Sequence, residues 1–164
     1  LVETLGCDAA VDYKAANGDA RALRKELKRA CPKGVDVFFD NVGGFVLDAA
    51  LKEINFKARV VLCGAISGYN QSTLPPGPSA YLNLVSMSAR MEGFILLNYK
   101  ERYEEAFQDL ERWLRQGELV FMEEQVAGLD YAARAFLKLF GADGGNKGRL
   151  VIDIHAKNDS QAKL

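Results

Sequence analysis

Residues 35–39, 58–62 and 91–97 form three short apolar runs, rich in β-branched and aromatic side chains, and helix-patterned segments separate them. No other feature restricts the fold as much. Runs of this kind read as strands buried on both faces, and helices between them supply the crossovers that parallel strands need. The pattern therefore predicts an α/β chain built on a doubly wound parallel sheet of the dinucleotide-binding class.

The helical segments are legible by spacing. A helix from about residue 20 to 30 places Leu23, Leu27 and Ala30 on one face and Arg21, Arg24, Lys25, Lys28 and Arg29 on the other. That basic stripe is a solvated surface in the ordinary case and a phosphate-binding stripe in the other. A second helix runs to about Glu53, a third covers about 80–88, and Tyr103, Ala106, Phe107, Leu110, Trp113 and Leu114 mark a fourth that stops at Gly117. Residues 9–13 are a short strand candidate. Pro75, Pro76 and Pro78 exclude helix from the loop that holds them.

From Glu118 the pattern changes. An alternating strand through Ala127, a helix over 130–140, a glycine-rich stretch at 141–146 and a strand over 149–154 read as a return into a different domain. The expected organisation is 1–117 in the sheet domain, 118–154 in the second, and a polar tail over 155–164. The chain opens on Leu1 rather than Met, inside a helix that should end at Gly6, so it reads as a fragment.

Composition excludes several functions. With 21 basic and 22 acidic residues among 164, no general attraction to nucleic acid or to anionic membrane is expected. No apolar run is long enough to span a bilayer, and the opening residues lack a signal-peptide pattern. Cys7, Cys31 and Cys63 fit neither a disulfide framework nor zinc-ligand spacing, and they read as reduced cytoplasmic thiols. His155 stands alone beside the tail. A histidine-based triad or metal site has little to build on.

In an open parallel sheet, ligands bind beyond the carboxyl ends of the strands. Asp40-Asn41-Val42-Gly43-Gly44 follows one apolar run and Cys63-Gly64-Ala65-Ile66-Ser67-Gly68-Tyr69-Asn70 follows the next. Small residues there permit close backbone approach, and amides can hydrogen-bond a flat polar ligand. Each motif alone is also ordinary turn chemistry. No Gly-x-Gly-x-x-Gly and no P-loop occurs, so the strand and turn that would hold a pyrophosphate should precede Leu1.

Taken in order, Leu5-Gly6-Cys7-Asp8, Asp12-Tyr13-Lys14, Phe39-Asp40-Asn41-Val42-Gly43-Gly44, the 63–70 motif, Leu74-Pro75-Pro76-Gly77-Pro78 and Gly145-Asn146-Lys147-Gly148-Arg149 make a specific set. It resembles the zinc-independent medium-chain dehydrogenase/reductases of the prostaglandin reductase, leukotriene 12-hydroxydehydrogenase and alkenal double-bond reductase branch. The resemblance spans residues 1 to about 154. It implies the C-terminal portion of a two-domain enzyme: a partial Rossmann-type sheet, then a return into a GroES-like substrate domain.

The resemblance further implies hydride transfer from NADPH to the β-carbon of an enone or enal. The cofactor carries the hard chemistry and the protein orients and stabilises charge, so neither metal nor nucleophile is needed. Tyr13 matches a tyrosine near the 2′-phosphate of NADP, or is an ordinary strand aromatic. Asn41 matches an asparagine beside ribose and nicotinamide. Cys63, Gly64, Ala65 and Ile66 match a loop that lines the cofactor, and Phe94 and Leu96 match a strand end that meets the carboxamide, or are sheet core.

Tyr69 matches the catalytic tyrosine, which supports the enolate or its protonation. Asn146 matches an asparagine that returns to the cofactor, or is a helix cap, and Lys147 departs from the family's apolar residue there. The basic partner of the 2′-phosphate should lie before Leu1, so NADP over NAD rests on Tyr13. A cytoplasmic homodimer acting on a small molecule, without nucleic acid or membrane, completes the implied picture. A quinone reductase of the same superfamily is the alternative enzyme, and a zinc alcohol dehydrogenase is disfavoured. The isolated chain is expected to be a non-catalytic piece.

Overall fold

A computed structural model describes residues 1–73, 75–140 and 148–155. By its internal contacts the chain divides into two compact units, Leu1–Gln108 and Asp109–Leu164. The first opens with α1 (Val2–Leu5), which stops at Gly6 in the left-handed conformation, as the sequence predicts. Residues 9–13 form no strand. The Asp12 carboxylate accepts from the backbone N–H groups of Lys14 and Ala15, and this side-chain turn sends the chain into a 3-10 helix at Lys14–Ala16 instead.

Helix α2 (Ala20–Ala30) starts where the Asp19 carboxylate accepts from the Arg21 N–H, and Leu23 is its buried residue. Part of its basic stripe is paired, Arg24 with Glu53 and Arg29 with Glu26. Strand β1 (Val35–Asp40) leads into α3 (Gly44–Leu51), which returns the chain to β2 (Ile54–Leu62); α4 (Leu82–Ser86) precedes β3 (Arg90–Gly93). The strands are parallel in the order β1-β2-β3, with one register irregularity between Val35 and Val37.

Alternation along the strands decides what is buried. Ala58 and Val60 of β2 point into a core with Leu47 and Leu51 of α3, Ile54 and Ala80, while Phe38, Leu62 and Met91 pack against it. Burying each large side chain contributes about 1.5–3 kcal/mol. Val37 and Phe39, on the opposite face of β1, are 53% and 54% exposed, so the strand is not buried throughout. Two expected elements are shorter than their apolar patterns. α4 covers only Leu82–Ser86, and β3 ends at Gly93 because the chain turns into a 3-10 segment at Leu96–Arg102.

Helix α5 (Tyr103–Gln116) ends at Gly117 as its spacing predicts and crosses the division between the units. In the second unit, β4 (Glu123–Ala127) pairs in parallel with β5 (Arg149–Asp153), and α6 (Ala132–Lys138) lies between them in sequence. The expected helix over 130–140 is thus a 3-10 turn at Leu129–Tyr131 followed by two turns of α-helix. Gly148 has φ +76°, and a Cβ there would sit 2.1 Å from the Met122 carbonyl oxygen, so only glycine fits at the start of this ladder. Among the described residues no helix is long and apolar enough to cross a membrane.

Candidate active site

The site begins with the residue that ends β1. Asp40 is 1% exposed, and its Oδ1 accepts from the N–H groups of Val42 and Gly43 at 2.9 and 3.0 Å. These bonds turn the chain sharply from strand into α3. Gly43 and Gly44 both have positive φ, at 69° and 54°. A Cβ on Gly43 would lie 3.1 Å from that of Ala65, and one on Gly44 would lie 3.0 Å from Ser67 Oγ, so the pair meets both a conformational and a space requirement.

The loop after β2 is zipped to this turn. The N–H groups of Cys63 and Gly64 donate to the Asp40 carbonyl at 2.8 and 3.1 Å, Ile66 N–H to the Asn41 carbonyl at 3.0 Å, and Ser67 N–H to the Val42 carbonyl at 3.1 Å. Ser67 Oγ–H donates to the same Val42 carbonyl at 2.6 Å. Two strand ends that look like independent turns in sequence are therefore one backbone structure.

Beside it lies a cavity of about 600 Å³, lined by Asp40, Gly43, Leu47, Leu62, Cys63, Gly64, Ala65, Tyr69, Gly93, Phe94, Ile95 and Asn98. It opens at the carboxyl ends of all three parallel strands, where the topology places a ligand. Phe94 is anchored by its N–H, which donates to the Leu62 carbonyl at 3.2 Å, and its ring lies 6.0 Å from those of both Phe39 and Tyr99. The phenol of Tyr69 folds back over the β2 loop. Ala65 N–H donates to Tyr69 Oη at 3.2 Å, so the hydroxyl accepts from backbone and keeps its own proton available to donate.

Of the residues singled out in sequence, Cys63, Gly64, Ala65, Tyr69 and Phe94 share the cavity wall. Tyr13, Asn41, Ile66 and Leu96 are not part of that wall. Tyr13 packs its ring 6.5 Å from Phe45 near the start of α3, Asn41 and Ile66 bond each other through backbone, and the Leu96 carbonyl accepts from the Tyr103 hydroxyl at 3.1 Å. Asn146 lies outside the described residues.

Sequence reasoning named Asp40 only as part of the strand-end motif and gave it no role of its own, although an Asp at a strand end followed by glycines at a helix start is a recognisable turn signal. Its second carboxylate oxygen, Oδ2, is buried with no hydrogen-bond partner among the described residues. Asn98 gave no signal, since its place in the wall depends on the chain leaving β3 into a 3-10 turn.

A dinucleotide fits what is present. The glycines keep the backbone open for a close approach, since even a Cβ on Gly64 would come 2.9 Å from Tyr69 Oη. Among the described residues no group of three or more His, Cys, Asp or Glu side chains gathers as metal ligands would.

Comparison with known proteins shows the family and the fold. A family model described as "Zinc-binding dehydrogenase" matches residues 1–112. The chain is 34% identical over 157 residues to the NADPH-dependent curcumin reductase of Escherichia coli, a match covering 93% of this chain and 44% of that protein. It is also 34% identical over 150 residues to prostaglandin reductase 1 of Oryctolagus cuniculus, covering 90% of this chain and 42% of the relative. The crystal structure of CurA in complex with NADPH from Vibrio vulnificus superposes with a TM-score of 0.79 at 38% identity, over 94% of this chain and 45% of that one. The chain thus spans less than half the length of the relatives it matches.

Proposed function

The chain belongs to the zinc-binding dehydrogenase family, and from that premise we propose that the whole protein reduces the carbon–carbon double bond of α,β-unsaturated aldehydes or ketones with NADPH. Family membership supports an oxidoreductase with a Rossmann-type sheet, and relatives named for NADPH and for prostaglandin or curcumin reduction support the cofactor and the narrower substrate class. The single observation that carries the reading is Tyr69, a phenol held over the strand-end cavity with its lone pair engaged by Ala65 N–H and its O–H free.

NADPH, when bound, supplies the hydride to the β-carbon of the substrate. The protein's part is position and charge. The loops after β1 and β2 hold the cofactor side of the cavity through Cys63, Gly64 and Ala65, with Phe94 as the wall beyond β3. Asn41 and Ile66 keep those loops in register, Leu96 tethers the chain that follows Phe94, and Tyr13 would be the residue that meets the 2′-phosphate, as the family resemblance implies. The family resemblance also assigns Asn146 to the cofactor, and that residue lies outside the described ones. In this reading residues 1–117 belong to the cofactor domain and 118–154 to the substrate domain.

As hydride arrives, negative charge develops on the substrate's carbonyl oxygen. The Tyr69 hydroxyl donates a hydrogen bond to that oxygen and then delivers its proton to the enolate, regaining one from solvent. The apolar side chains Leu47, Leu62, Phe94 and Ile95 line the cavity in which the reacting carbon would lie.

The test is NADPH oxidation by the full-length protein with a medium-chain 2-alkenal, a 15-keto prostaglandin and a quinone, with and without a chelator. Reduction of either enone that survives the chelator is expected, and Tyr69→Phe should lower kcat by about 10²–10³-fold. Turnover of the quinone alone would replace this reading with that of a quinone reductase.

A further inference from the structure

Tyr69 carries the proposed proton donation, yet little around its ring fixes it. The residue is 68% exposed, among the described residues no second ring stacks on it, and the hydroxyl is held by one hydrogen bond, from Ala65 N–H. A ring with so little packing points where its backbone sends it. What holds that backbone therefore decides where the phenol stands.

The peptide that joins Gly68 to Tyr69 is bonded at both ends. Tyr69 N–H donates to the Ile66 carbonyl at 3.3 Å, and the Gly68 carbonyl accepts from Gln71 N–H at 3.2 Å. The Gln71 side chain then reaches back past Tyr69, and its Nε2 donates to the Ser67 carbonyl at 3.1 Å. Ser67 is itself tied to the turn after β1, since its N–H and Oγ–H both donate to the Val42 carbonyl. One amide side chain thus links the exit from Tyr69 to a residue fixed on the neighbouring strand end. A second contact acts at the same place. A Cβ on Gly68 would lie 3.0 Å from Pro75 Cγ, so the proline ring closes on the residue before Tyr69.

We propose that Gln71 is a positioning residue for the reaction: its amide clasps the turn on which Tyr69 stands and so sets where the phenol meets the carbonyl oxygen of the substrate. The inference rests on the reading of Tyr69 as donor to the enolate. Gln71 is not part of the cavity wall, so it acts through Tyr69 and not by touching a ligand there. Small displacements of a reacting group lower the rate steeply, which makes such a clasp matter to turnover out of proportion to its stability.

The experiment uses the full-length protein with NADPH and 2-hexenal, and it reads hydrogen exchange at Ala65 N–H on the same variants. That amide bonds to Tyr69 Oη, so its protection reports the phenol directly and needs no turnover. Gln71→Ala removes only the side-chain bond, and Gln71→Glu keeps the length but loses the donor. Each should lower kcat about fivefold and speed Ala65 exchange about fivefold, the effect of losing one hydrogen bond. The Kd of NADP+ should change by less than about twofold in both. Gln71→Lys, which keeps a donor, should restore both readouts.

The separating measurement is the pair with Tyr69→Phe. Once the hydroxyl is gone there is nothing left to place, so Gln71→Ala should then lower kcat by less than about twofold more. A full fivefold loss in that background, or a Gln71→Glu variant that behaves as the unaltered protein, would overturn the inference. If 2-hexenal is reduced and Gln71→Ala changes neither kcat nor exchange, the inference fails alone. If no enone is reduced, the enone reading fails and exchange still decides the clasp: faster exchange in Gln71→Ala retains it, and unchanged exchange removes it.

Discussion

The two units carry the same kind of ladder and use it differently. In the first, β1, β2 and β3 run parallel against α3 and α4, and the core of Leu47, Leu51, Ile54, Ala58, Val60 and Ala80 is closed. In the second, β4 and β5 are equally parallel and fully registered over five residue pairs, yet Val126 and Ala135 are its only buried hydrophobic residues among those described. Phe121, Leu129, Phe136 and Phe140 are exposed there. Backbone pairing alone therefore does not make a core. A strand buries its apolar face only where a helix covers it.

The same lesson holds inside the first unit. Val60 and Val37 are both valines on neighbouring parallel strands, but Val60 is 1% exposed and Val37 53%. The candidate site sits at the closed end, where Asp40 and the glycines after it are held on several sides. A reactive geometry needs supports that do not move, and the covered ladder provides them.

The largest effect that would break this contrast is expected at Leu51, which is fully buried under the sheet. Leu51→Ala should cost about 2–5 kcal/mol in urea unfolding. A loss no greater than that at an exposed site would mean the first core is not the stabilising one. Next, Gly64→Ala places a methyl 2.9 Å from Tyr69 Oη, and the flexible end of an exposed side chain can yield. Stability should scarcely change while enone turnover by the full-length protein falls about 10²-fold, because the phenol is displaced.

Val126→Ala removes two methyl groups from the smaller core and should cost about 1–2 kcal/mol by the same unfolding assay. A penalty matching Leu51→Ala would erase the difference between the units. The smallest effect concerns charge. A hydrogen bond from Arg102, and then its positive charge, holds the Glu105 carboxyl below the usual carboxylate range, and the same contacts raise Arg102. The stabilisation from Glu105 is present above the ordinary carboxylate value and is lost as pH falls through the lowered one. Both groups are fully exposed, so Glu105→Gln should leave the melting temperature at neutral pH within experimental scatter.

Much of the fold was legible because local rules were strong enough to decide it. Asp19 and Gly117 bound their helices through a side-chain acceptor and a left-handed stop, and the 103–114 spacing marked α5 without ambiguity. The strand proposed at residues 9–13 failed because Asp12 offers its neighbours a local turn that competes with extension. The apolar run beginning at Met91 was cut at Gly93 by a 3-10 turn that the run's hydrophobicity could not reveal.

The site divides in the same way. Cys63, Gly64 and Ala65 were visible as residues of a strand end, where topology puts a ligand crevice, and Tyr69 and Phe94 were singled out by the family resemblance. Asp40 was visible as a strand-end residue but its capping role was not, and Asn98 was not visible at all, because these depend on a side-chain cap and on a turn, and the position of Leu96 depends on that same turn.

Alternation of apolar runs with helices, and glycines where φ is positive, were enough to determine an α/β parallel sheet, because these are local steric and periodic constraints; the family was legible only as a resemblance, through the ordered motifs around Asn41 and Tyr69. Which face of β1 is covered, that the Asp40 carboxylate is left half-paired, and that the Tyr69 hydroxyl rests on Ala65 N–H were decided only by tertiary structure. Burial and hydrogen-bond pairing are properties of neighbours far apart in the chain, and no local pattern encodes which of them will meet.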